Sequence, residues 1–200
     1  MNKRFNLHFL LCLLFLLSAS AVAHADATLT IESAINKAGR QRMLCQRIVV
    51  KYAQLGQGLF SKDAHSEINW DIALFETQLE ELKEYSNDDV FQESLEWVTI
   101  AWKRFRSLAA GEVDRDKVRR LNHLSEDLLY STNKAVLILQ DMKNKPLHRL
   151  VNLAGHQRML SQRLSKYYLL RRWGFTSLSN DDELTKAKQE FEVGLEIFRT

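Results

Sequence analysis

Proline is almost missing from this 200-residue chain, which has one, Pro146, and glycine is sparse at seven residues. No stretch alternates apolar and polar residues as a half-buried strand does. Helix is therefore the element to look for, and 46% hydrophobic with 26% charged residues fits a globular helical protein, not a disordered one. Cysteine is scarce too: Cys12 and Cys45 are the two present. Charge of one sign is lacking, since the net charge is +3 and falls to +1 without Lys3 and Arg4. That balance gives no argument for nucleic acid or for an acidic membrane surface. Metal-ligand spacing, a Gly-rich phosphate loop and a nucleophile–base pair are all missing from the sequence, so no catalytic residue, metal or cofactor is assigned and an enzyme is not expected.

The one long apolar run, Phe9 to Leu17, lies at the N-terminus. Lys3 and Arg4 precede it and Ala23-His24-Ala25 follows, which is the pattern of a secretory leader cleaved before Asp26. The run is short for a spanning helix, which needs about 20 residues. Cys12 follows no small residue, so lipid attachment there is not expected. The mature protein is expected in the periplasm with Cys45 as its single thiol, which cannot close an intrachain disulfide.

What the chain does have is a repeat. Asn36-Lys-Ala-Gly-Arg-Gln-Arg-Met-Leu-Cys-Gln-Arg47 returns 116 residues later as Asn152-Leu-Ala-Gly-His-Gln-Arg-Met-Leu-Ser-Gln-Arg163, with nine of twelve positions identical. At the same offset Tyr52 matches Tyr168, Gly58 matches Gly174, Ser61 matches Ser177, Phe75 matches Phe191, Leu79 matches Leu195 and Glu80 matches Glu196. A helix-loop-helix unit therefore occurs twice, and repeats fix architecture before local detail does. We divide the chain into a leader (1–25), a first unit (26–145) and a second, incomplete unit (146–200), whose end at Thr200 is level with Glu84 of the first.

Helical spacing and breakers place six helices. The first, capped by Thr28 or Thr30, runs to the Gly56–Gly58 break. The others cover about 67–85, 90–109, 115–143 and 147–173, with the last opening at Asp181 and Asp182. Pro146 marks the join between units, being tolerated in a first turn. Long helices with short loops predict an all-α, antiparallel up-down bundle containing an internal helix-loop-helix repeat.

Register singles out two arginines. Ile31, Ile35, Ala38, Arg42, Cys45, Val49 and Tyr52 form a heptad seam, and Leu147, Val151, Ala154, Arg158, Ser161, Ser165 and Tyr168 fall in the same register. Gly39 and Gly155 sit one turn before each arginine, where a backbone or ligand can approach. A guanidinium left unpaired in a seam costs several kcal/mol. One solution is a small planar anion held by both forks. The other is a structural ion pair with Glu96, Glu126 or Asp127, and such pairs are the commoner arrangement. Cys45, aligned with Ser161, reads as a small core residue. Arg40, Arg47 and Arg163 are expected toward solvent or helix ends, and His65, His123 and His148 at the surface or in loops.

The doubled Ala-Gly-x-Gln-Arg-Met-Leu-x-Gln-Arg resembles the motif of the PilJ/NarX-type sensor domain. That is the extracytoplasmic N-terminal domain of type IV pilus chemotaxis transducers and of nitrate/nitrite sensor kinases. The resemblance implies a helical bundle and a sensory role. In the nitrate sensors the arginine three residues after the motif glycine contacts nitrate at a symmetric dimer interface. By position this implies Arg42 and, through the repeat, Arg158, with Gly39, Gly155 and Lys37 at the site. Lys37 becomes Leu153 in the second copy.

The leading expectation is a periplasmic ligand-binding module for a small anion, nitrate or nitrite. A homodimer or a membrane-bound signalling partner would read its state. The alternative is a scaffold of the cell envelope or type IV pilus system, its arginines structurally paired. An apolar stripe left uncovered on the last helices would favour that alternative.

Overall fold

The structure, a computed structural model, describes residues 29–59 and 64–199. The expected leader and its cleavage site lie outside the described residues, as do Thr28 and Ser61. Six α-helices are present, with no strand among the described residues: α1 (Ile31–Gly56), α2 (Ala64–Tyr85), α3 (Asp89–Ala109), α4 (Val118–Asp141), α5 (Pro146–Arg172) and α6 (Leu178–Arg199). A 3-10 turn, Arg115–Lys117, leads into α4. The expected all-helical bundle is the observed one, and Pro146 opens α5 in its first turn.

Local chemistry sets the ends of the helices. Thr30 caps α1 by accepting from the Ser33 amide, and Asp88 caps α3 by accepting from the Phe91 amide. The two copies of the first helix stop in the same way. Gly58 and Gly174 take φ of 68° and 89°, a left-handed conformation that glycine adopts at little cost. The next amide then turns back onto the helix: Leu59 N donates to Gln54 O at 2.8 Å and Phe175 N to Leu170 O at 2.9 Å.

Helices α1 to α4 surround one core. Ile35, Leu44, Ile48, Val49 and Tyr52 of α1 are fully buried against Phe75, Phe91, Phe105 and Leu121. Phe75 and Trp102 stack with ring centroids 3.9 Å apart. Cys45 is buried in this core and burial pushes its thiol up to about 12, so it stays protonated at neutral pH. Helix α5 lies along α1 and runs parallel to it, with equivalent residues side by side: Glu32 beside His148, and Gly39 beside Gly155. Helix α6 folds back on α5 through a small second cluster of Met159, Leu160 and Ala187.

Three expectations change. The seam of α1 is buried throughout, but its counterpart on α5 is not: Ala154, Arg158, Ser165 and Tyr168 are exposed. Helix α4 covers the seam of α1, and nothing described covers that of α5. Arg47 and Arg163 do not point to solvent. Arg47 Nε donates to the buried Asp71 at 2.8 Å, and Arg163 donates to Glu126 and Glu183 at 2.5 Å each. These equivalent motif arginines tie α1 to α2, and α5 to α4 and α6, because a carboxylate on the neighbouring helix meets each one. His148 is wholly buried rather than superficial, since the parallel packing sets it against Glu32 at 3.2 Å.

The densest polar cluster joins α4, α5 and α6. Lys166, fully buried, donates to Glu126 Oε1 at 2.5 Å and to Ser125 Oγ at 3.2 Å. Burial alone would raise the Glu126 carboxyl, but Lys166 and Arg163 outweigh it and hold the group below the usual range. A carboxylate depressed in this way contributes stability above its unfolded pKa and loses it as pH falls through the folded value. Glu126→Gln is therefore expected to cost about 3–5 kcal/mol at pH 7 by leaving a buried ammonium without its counter-charge. Urea denaturation should show the deficit shrinking below pH ~4. Adding Lys166→Met to the same protein should restore part of the loss.

Candidate functional site

The parallel helices α1 and α5 come close together at the two motif glycines. A Cβ on Gly39 would lie 3.8 Å from the Gly155 Cα, and one on Gly155 would lie 3.6 Å from the Gly39 Cα. Small residues at a crossing let two backbones come this close. The long side chains one turn further on then fold back toward the crossing, following the N-terminal lean of helical side chains.

Arg42 is 1% exposed. Its Nη1 donates to Asn133 Oδ1 of α4 at 2.8 Å. Its Nη2 donates to Asn152 Oδ1 at 2.7 Å and to the Asn152 carbonyl at 3.3 Å. Its Nε has no partner. Arg158 makes the reciprocal contact, Nη2 to Asn36 Oδ1 at 2.7 Å. The motif asparagine of each copy thus holds the motif arginine of the other. The exchange follows the repeat only approximately, since Arg158 is exposed and among the described residues Asn36 is the one amide its guanidinium meets.

Both guanidiniums reach the same point. The position a Gly155 Cβ would take lies 3.3 Å from Arg42 Nη2 and 3.6 Å from Arg158 Nη2. Among the described residues no carboxylate lies within ion-pair distance of either arginine. Glu126 is committed to Arg163 and Lys166, so the pairing of Arg42 with Glu96, Glu126 or Asp127 does not occur. Burial, and then the charge on Arg158, push the Arg42 guanidinium down to about 10, which leaves it a cation at neutral pH. Burial and then Arg40 lower Arg158. His156 feels the same field: burial and the Arg42 charge pull it down, against Glu190.

Of the residues singled out in the sequence, the structure gathers Arg42, Arg158, Gly39 and Gly155 at one crossing. Lys37 is not with them: it turns to α2 and pairs with Glu81 at 2.6 Å. Sequence reasoning assigned no role to Asn36 and Asn152. Their signal was present, because both belong to the nine identical positions of the repeat. Asn133, outside the repeat, carried no signal.

Chemically the crossing offers two cations, an unused guanidinium N–H and three amides. An amide can turn its NH2 or its oxygen to a ligand. Among the described residues there is no group of three or more His, Cys, Asp or Glu that could hold a metal ion, and no helix long and apolar enough to cross a membrane.

Residues 30–126 match the model of the PilJ family, described as type IV pili methyl-accepting chemotaxis transducer N-term. No curated protein and no solved structure matches the chain. The matched span begins at the Thr30 cap, contains the first motif with Gly39 and Arg42, and ends at Glu126, the acceptor for Lys166 and Arg163. From the cap of α1 to the middle of α4, the chain is similar to the PilJ-type N-terminal domain of chemotaxis transducers.

Proposed function

We propose that the protein is a periplasmic sensory module that binds one small planar oxyanion, of the nitrate or nitrite class, at the α1–α5 crossing. The observation that carries this reading is the convergence of Arg42 and Arg158 on the Gly39–Gly155 contact without a carboxylate. Elsewhere among the described residues the buried cations have carboxylates: Lys166 has Glu126, and Arg163 has Glu126 and Glu183. A crossing that keeps two guanidiniums on neutral amides is poised for an anionic acceptor, whose charge-assisted bonds outmatch those to an amide oxygen.

The anion would take over hydrogen bonds now made by Asn36 and Asn152. It would also relieve the repulsion between the two arginines. Because each asparagine sits on the helix opposite its arginine, this exchange acts on the relation of α1 to α5. A ligand shifts two helix arrangements only by its differential affinity for them. Here that differential lies in the amide bonds given up and the repulsion removed. A homodimer or a membrane-bound signalling partner would read the change.

Calorimetry with nitrate, nitrite, sulfate and chloride tests the reading. We expect a planar oxyanion to bind and to raise the melting temperature, as a ligand of the native state must. Arg42→Ala or Arg158→Ala should weaken it by ~10- to 100-fold, the weight of one hydrogen bond to a charged group. If no anion binds and none shifts melting, the reading fails.

Gly155→Ala separates binding from folding. Its methyl group fits beside the Gly39 backbone and asks only for a small shift of Arg42 Nη2. Replacing a helical glycine by alanine contributes about 0.4–1 kcal/mol of stability where the backbone allows it. The variant should therefore melt at or above the parent temperature while binding the anion more weakly. Unchanged affinity would place the anion elsewhere.

A further inference from the structure

A cavity of 430 Å³ opens between the start of α4 and the α5–α6 turn. It lies away from the α1–α5 crossing. Tyr167 and Leu170 in its wall stand nine and twelve residues beyond Arg158, roughly 14–18 Å along α5. Its size falls in the range of small-molecule sites, ~300–1,000 Å³.

The lining has three parts. Val118, Tyr167, Leu170 and Phe175, all buried, form an apolar wall. Arg119 stands at one end, with its guanidinium carbon 5.5 Å from the centroid of the Phe175 ring. Arg115 rests on the same ring at 5.1 Å and donates to the Trp173 carbonyl at 2.9 Å. Among the described residues neither arginine has a carboxylate within ion-pair distance. The turn that carries Phe175 is held in place, since Asn180 Nδ2 donates to the Phe175 carbonyl at 3.0 Å and the Asn180 amide to Ser177 Oγ at 3.2 Å. At the other end are Glu126 and Glu183, which both accept from Arg163 Nη2. Glu183 has that one partner, and a carboxylate accepts up to about four hydrogen bonds. Asn122 lies between the ends, on the stripe of α4 that carries Arg119 and Glu126, and its buried Oδ1 has no partner.

We propose that this cavity binds a small zwitterion of the amino-acid class with an apolar side chain. The ligand carboxylate meets Arg119, its ammonium meets Glu183 and Asn122 Oδ1, and its side chain lies on the apolar wall. Charge excludes the simpler occupants. A plain anion would face two glutamates. A plain cation would face Arg119, and two guanidiniums already occupy the Phe175 ring. A neutral apolar molecule would take the polar ends out of water without answering them. Opposite charges about 10 Å apart along α4, from Arg119 to Glu126, favour a ligand that is itself dipolar.

Calorimetry with L-leucine and L-phenylalanine tests the proposal. At least one should bind. For leucine, 3-methylbutylamine lacks the carboxylate and 4-methylpentanoate lacks the ammonium, and each should bind ~10- to 100-fold more weakly, the weight of a hydrogen bond to a charged group. Arg119→Ala should weaken the amino acid by a similar factor, and the exposed Arg119 carries no ion pair whose loss would disturb the fold. Glu183→Gln should do the same, with Glu126 still holding Arg163. Thr176→Trp, at an exposed position of the lining, should remove binding by filling the cavity with the charges unaltered. Arg42→Ala should leave the affinity as it is. No binding of either amino acid at millimolar concentration would overturn the proposal. So would binding that survives both Arg119→Ala and Thr176→Trp, or an amine or carboxylate analogue that binds as tightly as leucine. None of these outcomes depends on anion binding at the crossing.

Discussion

A buried guanidinium without a counter-charge is the constraint around which this molecule is arranged. Taking Arg42 out of water costs several kcal/mol unless its N–H groups are answered. The fold answers them with amide oxygens from two other helices, Asn133 on α4 and Asn152 on α5. Those bonds exist only if α5 lies parallel to α1 in one register, since a slip of a turn would carry Asn152 away from Arg42 and Asn36 away from Arg158 together. The glycine pair makes the register reachable, and the two reciprocal bonds make it specific. The position of α5, and through it of α6, therefore depends on how one charge is satisfied.

The same chain shows what it does with a cation whose task is only to hold helices together. Lys166 is as deeply buried as Arg42, and it meets Glu126 directly. Arg47 meets Asp71, and Arg163 meets two glutamates. In those places the neighbouring helix contributes a carboxylate, and the charge is cancelled where it sits. At the α1–α5 crossing the neighbouring helix contributes a second arginine instead. Keeping like charges on neutral acceptors costs stability that a single Asp in place of Asn152 would recover. Retaining the amide leaves two like charges uncancelled at the crossing, and that is the feature on which the proposed anion site rests.

How far the sequence carried the structure follows from what a linear pattern encodes. The heptad seam of α1 placed Ile35, Arg42, Cys45 and Tyr52 on one buried face because periodicity reports a face directly. The offset of 116 residues placed Gly39 and Gly155 in equivalent positions and so made the crossing legible once the copies were taken to pack together. Which partner answers a polar group was not legible. Arg47 and Arg163 looked like solvent-facing charges until α2 and α6 brought Asp71 and Glu183 to them, and His148 looked superficial until α1 set Glu32 against it. Asn36 and Asn152 were visible as identical residues without a role, because an amide has no pattern of its own and gains meaning only from the side chain it faces. Lys37 shared the motif helix with Arg42, but the 3.6-residue turn points it at α2.

The two copies are not equal, and the inequality has a direction. Arg42 is enclosed by α4 and held by bonds to two asparagines, so it is the more firmly held of the two. Arg158 is exposed and held by one bond, to Asn36, on a helix whose outer face is bare. Of the two guanidiniums, Arg158 is therefore the one that can reorient at low cost, and the one that a ligand meets first from solvent. An anion entering from that side would be taken by Arg158 and delivered against a preset Arg42, where the shared charge draws α5 toward α1. On the proposed reading, the enclosed half of the repeat would supply the reference and the open half the motion. Whatever covers the open face of α5 then sits next to the one arginine able to move, which is where a neighbouring chain could sense that the site is filled.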